Sequence, residues 1–277
     1  MKPWGAAAAV LLLCCGAAAA APPAPVPQRI MSLKLCTDAL LMDLVPPERI
    51  ASISYLSREQ AALRLWPQAA HIPVNRNSIE EVLSVHPDMI LTDAYESPAM
   101  RALLAKSGAR IVEVPDAENF EQIRNVTLLV ADAVNARPRA EQLITQMDAT
   151  LRQLEREKPA RAIRVAGWGA GGFVPGQNTL FNAVLEAAGG RNIAGPQGGY
   201  YDIERLIAVR PDVLAYGDNY IGLPSLHSEQ DNHPALLKLF ANRRVVYASG
   251  LVGCGVPQSA DAAMQLHTAL SSVMAAP

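Results

Sequence analysis

Two cysteines carry the most reactive chemistry in this chain. Cys36 lies in Leu35-Cys36-Thr37-Asp38 and Cys254 in Gly253-Cys254-Gly255. The other two, Cys14 and Cys15, fall in an apolar N-terminal stretch that reads as a removable leader, so the mature chain keeps one pair. Three readings of that pair stand open. In an oxidising compartment an even pair forms a disulfide. Two free thiols would instead grip a soft metal or react with a ligand. The third reading is that the positions are unrelated. Around them lie Tyr55, Tyr95, Trp168, Phe173 and Tyr220, interleaved with Gly, Ser and Asn. Aromatic walls with few charges suit a large, partly apolar, ring-containing ligand, although any single ring serves equally well as core packing. Arg58 offers a guanidinium to a ligand carboxylate or phosphate; a lone arginine is otherwise an ordinary surface residue.

No catalytic residue is expected. No nucleophile sits beside an obvious base, and neither G-x-S-x-G nor C-x-x-C occurs. The five histidines are dispersed, without H-x-x-x-H, so no protein-borne metal site or cofactor is expected. Asp93, Glu96 and Asp218 read by default as solvated carboxylates. Gly167-Trp168-Gly169-Ala170-Gly171-Gly172 matches G-x-G-x-x-G, but Phe173-Val174-Pro175-Gly176 follows where a pyrophosphate-binding helix would have to start, so a ligand-facing loop is the better reading.

The elements that position these residues alternate. Strands are predicted at 29–33, 49–54, 88–92, 110–114, 163–167, 212–216 and 244–248, and helices at 38–45 (with Thr37 as cap), 79–85, 98–106, 179–188, 203–209, 233–240 and 259–274. Alternation of this kind means parallel α/β sheets, whose ligands bind at the carboxyl ends of the strands. That rule makes Cys36, Tyr55, Arg58, Tyr95, Trp168, Phe173, Tyr220 and Cys254 the candidate ligand residues. Between the two alternating regions, 118–135 reads as one helix and 138–158 as a longer one, with Leu143, Met147, Leu151 and Leu154 at helical spacing.

The chain also repeats itself. Ile79-Glu80-Glu81-Val82-Leu83-Ser84-Val85-His86-Pro87-Asp88 recurs as Ile203-Glu204-Arg205-Leu206-Ile207-Ala208-Val209-Arg210-Pro211-Asp212. A unit present once per half implies two similar lobes with a cleft between them. The expected fold is α/β: two similar lobes with parallel-type sheets, joined by a long rigid helix. The expected boundaries are 1–20 leader, 21–28 Pro/Ala tether, 29–137 first lobe, 138–158 linking helix and 159–277 second lobe. Glu80 and Glu204 are the repeat's matched carboxylates. Each complements its helix dipole, and two symmetry-related carboxylates on one rim would also suit the arginines of a two-fold-symmetric partner.

Composition narrows the class. Half of the 277 residues are hydrophobic, enough for a core in both lobes, and the net charge of −2 with scattered Lys and Arg argues against nucleic acid. Lys2, the apolar run from Ala6 to Cys15 and the small residues to Ala20 form a cleavable secretory signal. That run falls short of the ~20 residues a membrane span needs. A soluble, exported monomer is expected.

These residues resemble the periplasmic binding proteins of iron-siderophore and cobalamin ABC importers, in which one long helix links two α/β lobes. The resemblance spans the mature chain. It rests on the opening strand at 29–33, on the two repeated segments, on Asn178-Thr179-Leu180 with Ala187-Ala188-Gly189-Gly190-Arg191-Asn192, and on His233-Pro234-Ala235-Leu236. It implies a carrier that captures a ferric siderophore or similar iron chelate and delivers it to an inner-membrane permease dimer. Cobalamin, then haem, are the alternatives within the family, and an exported thiol-dependent enzyme using Cys36 and Cys254 is the alternative outside it. The family sets one glutamate per lobe against permease arginines, and Glu80 and Glu204 match those positions. Haem-binding relatives use Tyr or His on iron, which Tyr55, Tyr95 and Tyr220 would allow. The cysteine pair is not a general feature of the family.

Overall fold

A computed structural model describes residues 25–218 and 233–275, apart from the side chains of residues 60, 61 and 63. The predicted leader, part of the tether and Tyr220 lie outside the described residues.

In the first lobe, β1 (Ile30–Ser32), β2 (Ile50–Ser54), β3 (Val74–Asn75), β4 (Met89–Asp93) and β5 (Arg110–Val114) form a parallel sheet in the order β3-β2-β1-β4-β5. Helices α1 (Leu35–Leu44), α2 (Gln60–Leu65), α3 (Ile79–Val85) and α4 (Pro98–Leu104) make the crossovers. Strand β1 is buried throughout, as expected of a parallel sheet covered on both faces. After α5 (Phe120–Ala133), the 21-residue α6 (Arg137–Glu157) runs about 30 Å. It buries Ala140, Leu143, Met147 and Leu154 along one stripe.

The second lobe repeats the plan. Strands β6 (Ile163–Trp168), β8 (Gly190–Asn192), β10 (Val213–Gly217) and β11 (Arg244–Tyr247) pair in parallel in the order β11-β10-β6-β8, while β7 (Phe173–Val174) and β9 (Gly199–Tyr200) make a small antiparallel ribbon. Its helices are α7 (Leu180–Ala187), α8 (Ile203–Val209), α9 (Pro234–Leu239), α10 (Ser249–Gly253) and α11 (Ser259–Ala275). One buried cluster runs through both lobes, from Leu41 and Ile123 through Met147 and Leu154 to Val184 and Leu266. The opposite face of each sheet has its own smaller cluster, around Met31 and Ile90 in the first lobe and around Trp168 and Leu206 in the second. Among the described residues, no helix is long and apolar enough to cross a membrane.

The internal repeat has a structural cause. Helix α3 starts at a capping box of Ser78 and Glu81, and α8 starts at Asp202, whose side chain accepts from the Arg205 N–H. Both helices end on a left-handed residue before proline, His86 (φ 49°) and Arg210 (φ 49°). The following aspartate then locks the chain to the first strand of its lobe. Asp88 Oδ2 accepts from the Arg29 N–H at 3.1 Å, and Asp212 Oδ2 accepts from the Arg164 N–H at 2.9 Å. In return the Arg29 guanidinium donates to the Val85 carbonyl and the Arg164 guanidinium to the Val209 carbonyl.

Two predicted boundaries are corrected. Helix α1 begins at Leu35, not after Thr37, because the Thr37 hydroxyl donates to the Lys34 carbonyl (2.9 Å) and pairs with Ser32 Oγ (2.7 Å). Cys36 therefore sits in a helical first turn, not in a loop. The segment before Cys254 likewise holds a helix, α10.

Candidate functional site

In the first sheet, β1 has β2 on one side and β4 on the other, so the connections leave in opposite directions from the β1/β4 boundary. That reversal opens a crevice at the carboxyl ends. A cavity of about 630 Å³ occupies it and reaches across to the second lobe, within the ~300–1,000 Å³ typical of small-molecule sites. The first lobe supplies Lys34, Leu35, Cys36, Thr37 and Leu40 from the β1–α1 junction, Asp93 from the end of β4, and Val114 to Glu118 from the end of β5, with Val126 behind. The second lobe supplies Pro175, then Thr179, Leu180 and Phe181 from the start of α7, then Tyr247, Ser249, Val252, Gly253 and Gly255. Phe181 and Tyr247 stack as a tilted pair with ring centroids 5.2 Å apart, giving this side an aromatic wall.

The charged groups are almost all on the first lobe. Lys34 Nζ lies 3.2 Å from Glu96 Oε2 and 3.6 Å from Asp93 Oδ2. Burial pushes the Glu96 carboxyl up, but the Lys34 ammonium, the Asn77 amide and the Ser97 N–H outweigh it and hold it below its ordinary value. Asp116 and Glu118 are exposed in the β5–α5 loop. Asp116 acts on Tyr95: its carboxylate, by charge and by hydrogen bond, pushes the phenol's pKa up.

The lobes meet directly at this site. Cys36 and Cys254 are joined as a disulfide. Beside it, Gly255 comes so close to Ala117 that an added Cβ would fall 2.5 Å from the alanine Cβ. Gln258 donates to Asp43 Oδ2 at 2.8 Å, and Arg64 pairs with Asp218 at 3.6 Å. These contacts form a seam, so the cavity has a covalently closed flank.

Of the predicted ligand residues, Cys36 lines the cavity, and Cys254 is bonded to it and buried between the lining residues Gly253 and Gly255. Tyr95 is 77% exposed at the rim, beside the lining residue Asp116. Tyr55 and Arg58 stand in the turn after β2 and line no wall; Arg58 donates to the Ile72 carbonyl at 2.7 Å. Phe173 lies outside the walls and packs edge-on against exposed Tyr200. Trp168 is corrected outright. It is the last residue of β6, opposite Tyr216 of β10, and at 1% exposure it packs the core of the second lobe. The glycines after it make a tight turn in which the Gly169 N–H donates to the Phe173 carbonyl at 2.8 Å, and no helix of the phosphate-binding kind follows. Among the described residues, no group of three or more His, Cys, Asp or Glu is arranged to hold a metal ion.

Sequence reasoning missed Asp116, Glu118, Phe181 and Tyr247. The first two follow β5, a predicted strand, and the strand-end rule applied to that strand would have found them. Tyr247 closes β11 and Phe181 lies in the first turn of α7, positions that a search of the intervening loops passes over.

A model of the periplasmic binding protein family matches residues 72–214. An uncharacterized ABC transporter substrate-binding lipoprotein, YvrC of Bacillus subtilis (strain 168), is 21% identical over 207 residues, covering 69% of this chain. The match spans 64% of that relative's length. Among solved structures, the periplasmic haem-binding protein RhuT from Roseiflexus sp. RS-1 is 22% identical with TM-score 0.72, covering 89% of this chain and 98% of that one. The periplasmic vitamin B12-binding protein BtuF of Vibrio cholerae is 16% identical with TM-score 0.69, covering 91% and 99%. At these identities the structures share the fold. The family model, which matches half of the chain, carries the assignment: the protein belongs to the periplasmic binding protein family.

Proposed function

We propose that this protein is the solute-binding component of an ABC importer, exported by a signal at residues 1–20 and working as a monomer in the periplasm. It captures an iron chelate of the siderophore type, or a corrinoid or haem, between its lobes and presents it to an inner-membrane permease dimer. It performs no chemistry on its cargo. The cavity carries this reading: about 630 Å³, bounded by both lobes, with an aromatic and aliphatic wall on one side and polar groups on the other. The haem and vitamin B12 bound by the two solved relatives make ring-containing chelates the ligands to try first.

Glu80 and Glu204 support the docking half of the proposal. Each is exposed in the first turn of a repeated helix, one per lobe. Two carboxylates held on matched, rigid scaffolds suit arginines of a two-fold permease.

The experiment is calorimetric titration of the mature protein with ferric hydroxamate, catecholate and citrate chelates, cobalamin and haem. Saturable 1:1 binding at micromolar or tighter affinity by one of them is expected. Folded protein that binds none would overturn the carrier reading. Glu80→Arg with Glu204→Arg should leave that binding intact and abolish cargo-dependent ATP hydrolysis by the permease in nanodiscs. Loss of cargo binding in this variant, or undiminished ATP hydrolysis, would remove the docking role.

A further inference from the structure

The cavity's charge is lopsided in a way that its shape and family do not explain. Its described walls carry one cation, Lys34, and three carboxylates, Asp93, Asp116 and Glu118. Lys34 is already engaged by Asp93 and by Glu96, a further carboxylate held ionised behind it. Among the described residues no arginine lines the cavity. The arginines nearby are committed elsewhere, Arg58 to the Ile72 carbonyl, Arg64 to Asp218 and Arg101 to Glu113. Residues 219–232 contain neither lysine nor arginine.

One effect opposes this. Helices α1, α5, α7 and the short α10 begin at or next to the cavity wall, and a helix N-terminus favours negative charge by about half an elementary charge each. In α7 the Thr179 hydroxyl already accepts from the Asn182 N–H. Counted in full, the four termini offset about two of the four carboxylates Asp93, Glu96, Asp116 and Glu118, and Lys34 offsets a third, which leaves the cavity negative by about one charge. A carboxylate accepts hydrogen bonds and donates none, so its partners on a ligand are N–H, O–H or positive charge. A ligand bearing carboxylates or catecholate oxygens would meet like charge across the cleft, a repulsion that solvent and salt screen at the exposed Asp116 and Glu118.

We infer that this cleft selects its cargo by charge, taking a neutral or cationic chelate rich in amide or amine N–H groups and disfavouring polyanionic ones. This inference rests on the cavity being the cargo site. Within the family's range it points to amide-bearing corrinoids and amine-bearing ferric hydroxamates, and away from ferric catecholates, ferric citrate and haem with its paired propionates.

The test is a calorimetric comparison of four probes on the mature protein: cyanocobalamin, a ferric trihydroxamate carrying a free amine, ferric tris-catecholate and haem. At about 50 mM salt the better of the first two should bind at least ~10-fold more tightly than either anionic probe, and the gap should shrink at about 500 mM salt. Asp116→Asn with Glu118→Gln alters two exposed loop side chains and should narrow the gap by ~10-fold or more without moving Tm. An anionic probe that binds as tightly as the first two, or a gap unmoved by both salt and the double variant, overturns the charge inference and leaves the carrier reading standing. Binding by none of the four overturns the inference together with the reading beneath it.

Discussion

Asp38 is fully buried two residues beyond the cavity-lining Cys36. Its Oδ2 accepts from the Ser54 N–H (2.9 Å), Ser54 Oγ (2.5 Å) and Ser57 Oγ (2.7 Å), and Ser32 acts on the carboxyl as a further hydroxyl donor. Burial outweighs these donors and the carboxyl is pushed up to about 7. A carboxyl that holds its proton more tightly folded than unfolded lowers stability as pH rises. The loss begins near the unfolded value, runs through the folded one, and totals roughly 4 kcal/mol. Chemical denaturation at pH 4 and pH 7 should show that drop, and Asp38→Asn should remove most of it. Equal pH slopes in the two proteins would refute the assignment. At this scale the sequence was only partly legible. The strand-end rule found Cys36 and the neighbourhood of Cys254, but not which way side chains point. Trp168 turns into the core because β6 runs one residue further than its apolar pattern indicates, and Tyr247 was hidden inside a predicted strand.

The elements were the most legible level, because periodicity and caps are local. The Pro-Asp pair after each repeated helix did not show its purpose in the sequence, since its partners Arg29 and Arg164 are remote in the chain: Asp88 and Asp212 tie each crossover back to the lobe's first strand. Asp212→Ala should cost about 1–3 kcal/mol by leaving the Arg164 N–H without its acceptor, and Asp88→Ala a similar amount. The two losses should add in the double variant, since the aspartates share no partner. Urea denaturation measures all three. A neutral Asp212→Ala would show that the backbone hydrogen bond alone, from the Asp212 N–H to the Arg164 carbonyl, holds the junction. Short elements such as β3, β7 and β9 went unread, as two-residue strands carry no periodicity.

At the scale of the molecule, two lobes share one buried cluster and are joined three times: by α6, by the packed seam of Gly255, Ala117, Gln258 and Asp43, and by the Cys36–Cys254 disulfide. The disulfide closes a loop with sequence separation 218. In the chain-entropy view such a loop contributes up to about 5 kcal/mol. Cys36→Ser with Cys254→Ser should lower Tm by several degrees, and thermal melts that superimpose would show that the seam holds the lobes alone. The sequence implied a cleft through its repeat. The covalent closure of one flank was open among three readings, because pairing needs coordinates.

The central claim is that cargo occupies the cavity between the lobes, and Gly253 gives the most direct access to it. It lines the cavity, a Cβ added there meets nothing within 4 Å, and its backbone accepts any residue without strain. The decisive measurement is chelate binding to wild type and to Gly253→Trp, with Tm recorded for both. The expected result is saturable 1:1 binding in wild type, weakened at least ~10-fold in the variant at unchanged Tm. Binding of equal affinity in both proteins would place the cargo elsewhere and contradict the assignment of the cavity.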